Sequence, residues 1–253
     1  MKRHGNSVRL LIVLACATAW LAIAGGSAWA GDGSPDIVIS QVYGGGGNSG
    51  AIYTHDFVEL YNRGASAVDV SGWTVQYAAS TSSSWSSVAI AGTIPAGGYY
   101  LIQLASGGSN GTSLPTPDAT GTINMSASGG KVALVMSETK LTCGGSNGPC
   151  LPNPLIRDLV GYGTTADAYE GTGRAPALSA STAALRGGGG SVDTDDNSLD
   201  FTADAPTPHN SSPTAVTLSH LTATADGAWK IAMDWRGLSD RVRSTLASWR
   251  RLR

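Results

Sequence analysis

Residues 41–62 read QVYGGGGNSGAIYTHDFVELYN, and the fold turns on what the four glycines do between two apolar runs. A phosphate loop needs GxxxxGK followed by Ser or Thr, with the lysine for the phosphates and the hydroxyl for the metal; GGGGNSGA supplies neither. A dinucleotide fingerprint needs a helix directly after the glycines, so that its N-terminus meets the pyrophosphate. These glycines lead instead into YTHDFVELYN, where Phe57, Glu59 and Tyr61 alternate with Val58 and Leu60 as in a strand. The glycine run is therefore expected to be a slack connection between two strands. Gly44, Gly45, Gly46, Gly47 and Asn48 remain a candidate ligand loop at the end of a sheet, because glycine leaves the backbone open to approach.

The same pattern continues outward. DIVISQVY (36–43), HDFVELYN (55–62), AVDVSGWTVQYAA (67–79, bent at Ser71-Gly72), WSSVAIAGTIP (85–95), GYYLIQLA (98–105), KVALVM (131–136), LIRDLVGYG (155–163) and STAALR (181–186) are short β-like runs parted by Gly, Ser, Pro and Asn. Helical periodicity is almost absent between 36 and 213. Many short strands with turn signals between them predict an all-β sandwich or barrel. SGGSNGTSLPTPDATG (106–121) is too long for a tight hairpin and suits a loop crossing between sheets.

The two ends differ from this body. Lys2, Arg3 and Arg9 accompany LLIVLACATAWLAIA, and the segment closes on Ala28-Trp29-Ala30. A basic start, an apolar run and a small-x-small site predict a signal peptide, 1–30, cut after Ala30, and a secreted, extracellular protein. A lipoprotein, with VLAC ending at Cys16, is the alternative; a membrane anchor lacks a basic stop-transfer flank. In an exported chain, Cys143 and Cys150 of CGGSNGPC suggest a disulfide, with a metal pair as the rival. TAVTLSHLTATADGAWKIAMDW (214–235) reads as strand, turn, strand. LSDRVRSTLASWRRLR (238–253) then places Leu238, Val242, Leu246 and Trp249 at helical spacing, with Ser239 or Asp240 as cap. Charge divides the chain at the same place. Residues 31–213 carry 6 Lys and Arg against 15 Asp and Glu, whereas residues 214–253 carry 7 against 3. An acidic body is a poor general surface for nucleic acid, so an anionic partner must meet a local patch or the tail.

In order, IVISQVYGGGGNSG, DFVELYN, VDVSGWTVQY, TIPAGGYYLIQ, GKVALV and DLVGYG, with the late block DTDDNSLDFTADAPTPHNSS (193–212), resemble a lamin-tail domain of the bacterial secreted type. The resemblance implies an immunoglobulin-like β-sandwich over 31–213. It places Phe57, Leu60, Trp73, Val132 and Leu134 in the core and Gly72, Pro95 and Gly97 in turns. It implies a module more than a reaction: such domains are often joined to secreted nucleases, phosphatases or other hydrolases, and are thought to tether them to a surface, polymer or membrane. Residues 214–253 resemble the opening of a second β-sandwich that runs into the arginine-rich helix, either a truncated remnant or a basic amphipathic tail.

Three constellations are candidates for chemistry. His55, Asp56 and Glu59 supply the imidazole and carboxylates of acid–base work. Asp56 and Glu59 fall on opposite faces of a strand, however, and an exposed, half-aromatic strand face is expected. Neither GxSxG nor HExxH occurs, so no catalytic residue is assigned. In DTDDNSLDFTAD, Asp193, Asp195 and Asn197 fall at the first, third and fifth positions and Asp204 at the twelfth, an oxygen-rich spacing that calcium loops use. Ser198 stands where such a loop needs glycine, and the rival expectation is an acidic turn whose side chains accept from local backbone N–H groups. Calcium is the only candidate cofactor. In the tail, Arg236, Arg241, Arg243, Arg250, Arg251 and Arg253 with Trp249 form a candidate anchor for a membrane, an anionic polymer or an envelope surface. Docking on the acidic sandwich, or disorder, is the alternative for this segment. Nucleic acid and a partner hydrolase are further candidate partners.

The expected function is a secreted, non-catalytic binding or tethering module. The alternatives are a divergent extracellular hydrolase or its accessory part, and a structural surface protein that self-associates through strand edges.

Overall fold

Ile37–Tyr43 (β1) is buried along its whole length, because it lies in the middle of a sheet that is covered on both faces. The computed structural model describes residues 34–212 and two later strands, Leu218–Ala223 and Trp229–Met233. The expected signal peptide, and the tail helix with Arg236, Arg241, Arg243, Trp249, Arg250, Arg251 and Arg253, lie outside the described residues.

After β1 come Phe57–Asn62 (β2), Val68–Asp69 (β3), Trp73–Ala78 (β4), Ser86–Ile90 (β5), Thr93–Ile94 (β6), Tyr99–Gln103 (β7), Ala119–Thr120 (β8) and Gly130–Val135 (β9). Ile156–Tyr162 (β10), Ala183–Arg186 (β11), the short helix Asn197–Asp200 (α1) and Phe201–Asp204 (β12) complete the body. One sheet has six strands in the order β12-β11-β1-β2-β7-β8, and the other has four in the order β10-β9-β4-β5. The pairs are antiparallel except β7 with β8. This is an immunoglobulin-like β-sandwich, as expected.

The core lies between the sheets. Val58 and Leu60 of β2 and Ile102 of β7 meet Val75, Val132, Leu134 and Val160 from the other sheet. Burying each such side chain contributes roughly 1.5–3 kcal/mol. A bulge decides which way β1 faces. Ile39 pairs with Leu60 and Gln41 with Glu59, so Ser40 is the extra residue. Ile37 and Ile39 enter the core before the bulge, and Val42 after it. A strict alternation would have kept 37, 39, 41 and 43 on one face; the bulge instead turns Gln41 and Tyr43 outward.

Leu60, Val132 and Leu134 occupy the core as expected, while Trp73 is half-buried against it. Phe57 is buried on the opposite face of its sheet, with Tyr43, Leu101 and Ala183. Gly72 and Gly97 have φ of 80° and 72°, the left-handed turn conformation that favours glycine. Three elements were not expected: β8 inside the 106–121 connection, and α1 and β12 inside the acidic block. Leu218–Ala223 and Trp229–Met233 (β13 and β14) pair antiparallel, matching the strand–turn–strand reading.

Candidate functional site

The glycine run is not slack. Gly44, Gly45, Gly46 and Gly47 are all buried and Asn48 half-buried. A Cβ on Gly46 would stand 2.0 Å from the His55 carbonyl carbon, and one on Gly44 would stand 2.3 Å from the Ser126 oxygen. Glycine is there because backbones cross at contact. Asp56, a candidate acid from the sequence, staples this crossing. Its Oδ1 accepts the Gly46 N–H at 2.8 Å and its Oδ2 accepts the Met125 N–H at 2.9 Å. Burial pushes the Asp56 carboxyl up to about 6 against the lowering effect of those two bonds. The candidate ligand loop Gly44–Asn48 is thus filled by the protein's own backbone, a correction to the open-loop expectation.

The expected calcium loop is also built differently. Asp193 turns inward, where its Oδ1 takes Arg186 Nη1 at 2.8 Å and its Oδ2 takes the Ser34 N–H at 2.5 Å. Asn197 is fully buried, accepting from the Gly161 N–H at 2.9 Å and donating to the Leu159 carbonyl at 3.0 Å. Asp204 is exposed on β12, opposite Ala183, and accepts from the Ala205 N–H. Asp195 has a φ of 55° in the turn between them. The four do not converge on one point. What spacing could not reveal is that Asp196 caps α1, accepting from the Ser198 N–H at 3.0 Å and the Thr172 N–H at 2.9 Å. Hydrogen bonds from Ser198 and Thr172 hold its carboxyl well below the usual range. The rival expectation, an acidic turn bonded to local N–H groups, describes this segment.

Arg186 is the centre that organises it. The residue is only 3% exposed, and its side chain reaches Asp158 at 2.7 and 3.0 Å, Asp193 at 2.8 Å and Asp200 at 3.3 Å. Its Nε donates to the Ile39 carbonyl at 2.8 Å, and Phe201 lies under the guanidinium at 4.5 Å. Oxygens of Asp158, Glu170 and Asp193 lie within 4.8 Å of one another, close enough for a cation. Arg186 already neutralises two of these carboxyls. Burial raises the Glu170 carboxyl well above its usual range, and the neighbouring Asp158 charge adds to that. A hydrogen bond between the Glu170 and Asp158 carboxyls needs a proton on one of the two. The cluster joins β1, β10, β11 and α1, and it is a structural hub rather than an open metal centre.

The outer face of β2 departs from the sequence reading as well. Glu59 is 1% exposed, not part of an exposed face. It accepts from Ser40 Oγ at 2.6 Å, Gln41 Nε2 at 3.0 Å, the His209 N–H at 2.5 Å and His209 Nδ1 at 3.1 Å. His209 stacks on Tyr99 at 4.5 Å. The segment 205–212 is thus a strap over the six-stranded sheet. His55 is elsewhere, bonded to its neighbour Thr54 at 2.9 Å. The His55, Asp56, Glu59 set is not brought together, since Asp56 and Glu59 serve separate backbone contacts.

Residues 31–146 match the family model of the Lamin Tail Domain. This stretch is a lamin tail domain. No curated protein matches the chain. The lamin tail family is one of non-catalytic, immunoglobulin-like domains, and the match marks this stretch as an immunoglobulin-like binding or structural module. Its sandwich is finished beyond the matched stretch, because β10 is needed for the four-stranded sheet and β11 and β12 for the six-stranded one. Cys143 and Cys150 form a disulfide next to the domain's buried lysine, which retires the metal-pair alternative. Lys131 is 0% exposed, pairs with Asp167, and donates to the Ser82 carbonyl at 2.7 Å. Trp85 packs against it at 5.4 Å and donates to the Cys143 carbonyl at 2.9 Å.

The described sandwich engages most of its cations itself. Lys131 and Arg186 are buried, Arg63 pairs with Asp193, Arg157 pairs with Asp36, and Arg174 packs on Tyr169 at 4.7 Å. Lys140 is exposed, as are Asp69, Glu138, Asp167 and Asp204.

Proposed function

We propose that this chain is a secreted, non-catalytic tethering module in which the sandwich is an acidic spacer and the basic segment after residue 213 is the anchor. One observation carries the reading: the described body engages five of its six lysines and arginines, four by burial or ion pairs and Arg174 against the Tyr169 ring, while residues 214–253 hold 7 basic residues against 3 acidic. A polyanion finds little to hold on such a body, and its counter-charge sits in the tail. The carboxylates that sequence offered for catalysis are occupied by hydrogen bonds within the fold, and His55 stands apart from Glu59, bonded to Thr54, which supports a module without chemistry. The basic start and apolar run of 1–30 and the Cys143–Cys150 disulfide support an extracellular setting.

The test is a vesicle titration of the whole mature chain. Vesicles rich in phosphatidylserine are compared with neutral phosphatidylcholine vesicles, at low and high salt. A variant with Arg241, Arg243, Arg250 and Arg251 all changed to Gln is run beside it. Each basic residue near an anionic surface contributes about 1 kcal/mol, so wild type should bind only the anionic vesicles and release with salt, and the variant should lose at least about tenfold in affinity. Equal binding by the variant sinks the anchor assignment. Duplex DNA in place of vesicles reports whether the anchor prefers a nucleic acid.

A further inference from the structure

The strap 205–212 is held by its backbone, and the groups that hold it form one row. Gln41 is the register partner of Glu59, and Glu59 of Leu101. Leu101 donates its N–H to Asp118 Oδ2 at 2.7 Å and accepts the Asp118 N–H at 2.9 Å. Gln41, Glu59 and Asp118 therefore lie on a line crossing the strands from β1 to β8. The strap lies along that line. Thr207 donates its N–H to Gln41 Oε1 at 3.0 Å, His209 to Glu59 Oε2 at 2.5 Å, and Ser211 to Asp118 Oδ2 at 2.9 Å. Gln41 Nε2 returns a bond to the Thr207 carbonyl at 2.8 Å, so this side-chain amide stands in for a neighbouring strand.

The dimensions agree. Three inter-strand steps of ~4.8 Å span about 14 Å, and four residues of extended chain at ~3.3 Å, from Thr207 to Ser211, span about 13 Å. The strap sequence suits the row. Buried Pro206 and Pro208 alternate with the donors; proline has no N–H to leave unpaired and fixes an extended φ. Tyr99 supplies an aromatic shelf for His209.

We propose that this row is a groove for an extended, proline-alternating peptide, and that residues 205–212 of a second copy fill it in exchange for the chain's own strap. The occupant is set by the contacts. Every bond made within one chain is reproduced by an identical segment from another, so an exchanged pair loses none of them. The strap's donors are held by side chains and not by a ladder, so its release opens no strand pair. Exposed Ala205, just past β12, is where the chain would redirect. This goes beyond tethering: it would link sandwiches pairwise while leaving the basic segments to an anchor.

Complementation tests it. One full-length variant loses donors (Thr207→Pro with Ser211→Pro) and the other loses the groove (Gln41→Ala with Glu59→Gln). Each alone should be monomeric by light scattering, and an equimolar mixture should form a heterodimer. A mixture that stays monomeric, while both variants keep cooperative thermal unfolding, overturns the exchange. The strap variant is also titrated with a labelled peptide of residues 205–212. Because its groove is vacated, it should bind the peptide at least about tenfold more tightly than wild type, whose groove is filled, and adding Gln41→Ala should remove that gain. Equal peptide binding by wild type and strap variant overturns the groove itself. The peptide titration decides even where the groove variant does not fold.

Discussion

The Arg186 hub and the strap face use the same parts with opposite results. Both set carboxylates against backbone N–H groups and a basic side chain. In the hub, Arg186, Asp158 and Asp200 are each no more than 3% exposed, and the cluster joins segments from 34 to 200. On the strap face Glu59 is equally buried, but the His209 side chain is 48% exposed. Solvent is the difference. Without water, a charge has no substitute partner, so removing one leaves the others stranded. At the strap, water can replace most of what is lost, so the same chemistry makes a seat that can be left.

The comparison breaks first at Arg186. Arg186→Leu keeps volume and apolar contact with Phe201 but leaves Asp158, Asp193 and Asp200 without their main counter-charge. Breaking a buried pair on one side costs about 3–5 kcal/mol, read as a fall in urea midpoint at unchanged slope. A loss under about 1 kcal/mol would mean that water reaches the hub, and the contrast with the strap would disappear.

Asp56 is the intermediate case, a single buried carboxylate with no cation beside it in its hydrogen bonds. Asp56→Ala leaves the Gly46 and Met125 N–H groups unpaired and should cost about 2 kcal/mol. The pH dependence sharpens the point. Burial raises this carboxyl to about 6 in the folded protein, above its unfolded value near 4. The folded state therefore holds the proton more tightly, and this group's contribution to stability falls as pH climbs from about 4 to about 6. The variant should lose that part of the slope; an unchanged profile would mean that the carboxylate is hydrated.

Much of the sandwich was legible because its signals are local. Alternation in 55–62 and 98–105, and glycine at 72 and 97, required no knowledge of distant partners. The site residues were illegible for the opposite reason. Asp193 finds Arg186, and Asn197 finds Leu159 and Gly161, only once β10 and β11 are in place, so the spacing within DTDDNSLDFTAD suggested a cation where the fold supplies a guanidinium. Four consecutive glycines looked permissive because sequence does not show that Ser126 and His55 press against them. Glu59 looked solvent-facing because the strap that covers it lies 150 residues away. The one available hint was the PTPH run at 206–209, whose alternating prolines mark an extended segment that needs a surface.

His209 gives the smallest effect and the sharpest test of exchangeability. Its hydrogen bond to Glu59 raises its pKa above the ordinary value, against the opposing effect of burial. A group raised on folding stabilises fully below its unfolded pKa, near 6.5, and that contribution is lost as pH rises through the folded pKa. The groups facing it do not obscure the window. Tyr99 is pushed up to about 12 by burial and by Glu59 and Tyr61, and Asp118 reaches the strap through Ser211 rather than His209. Global stability should change by under about 1 kcal/mol, because the ring is half in water. The local effect is larger in kind: amide exchange at His209 and Ser211, corrected for its intrinsic pH dependence, should speed up in wild type as pH rises above the ordinary histidine range near 6.5. In His209→Gln the same amides should be equally fast throughout. If both proteins give one flat profile, the backbone N–H alone seats residue 209, and the imidazole only shelters the groove.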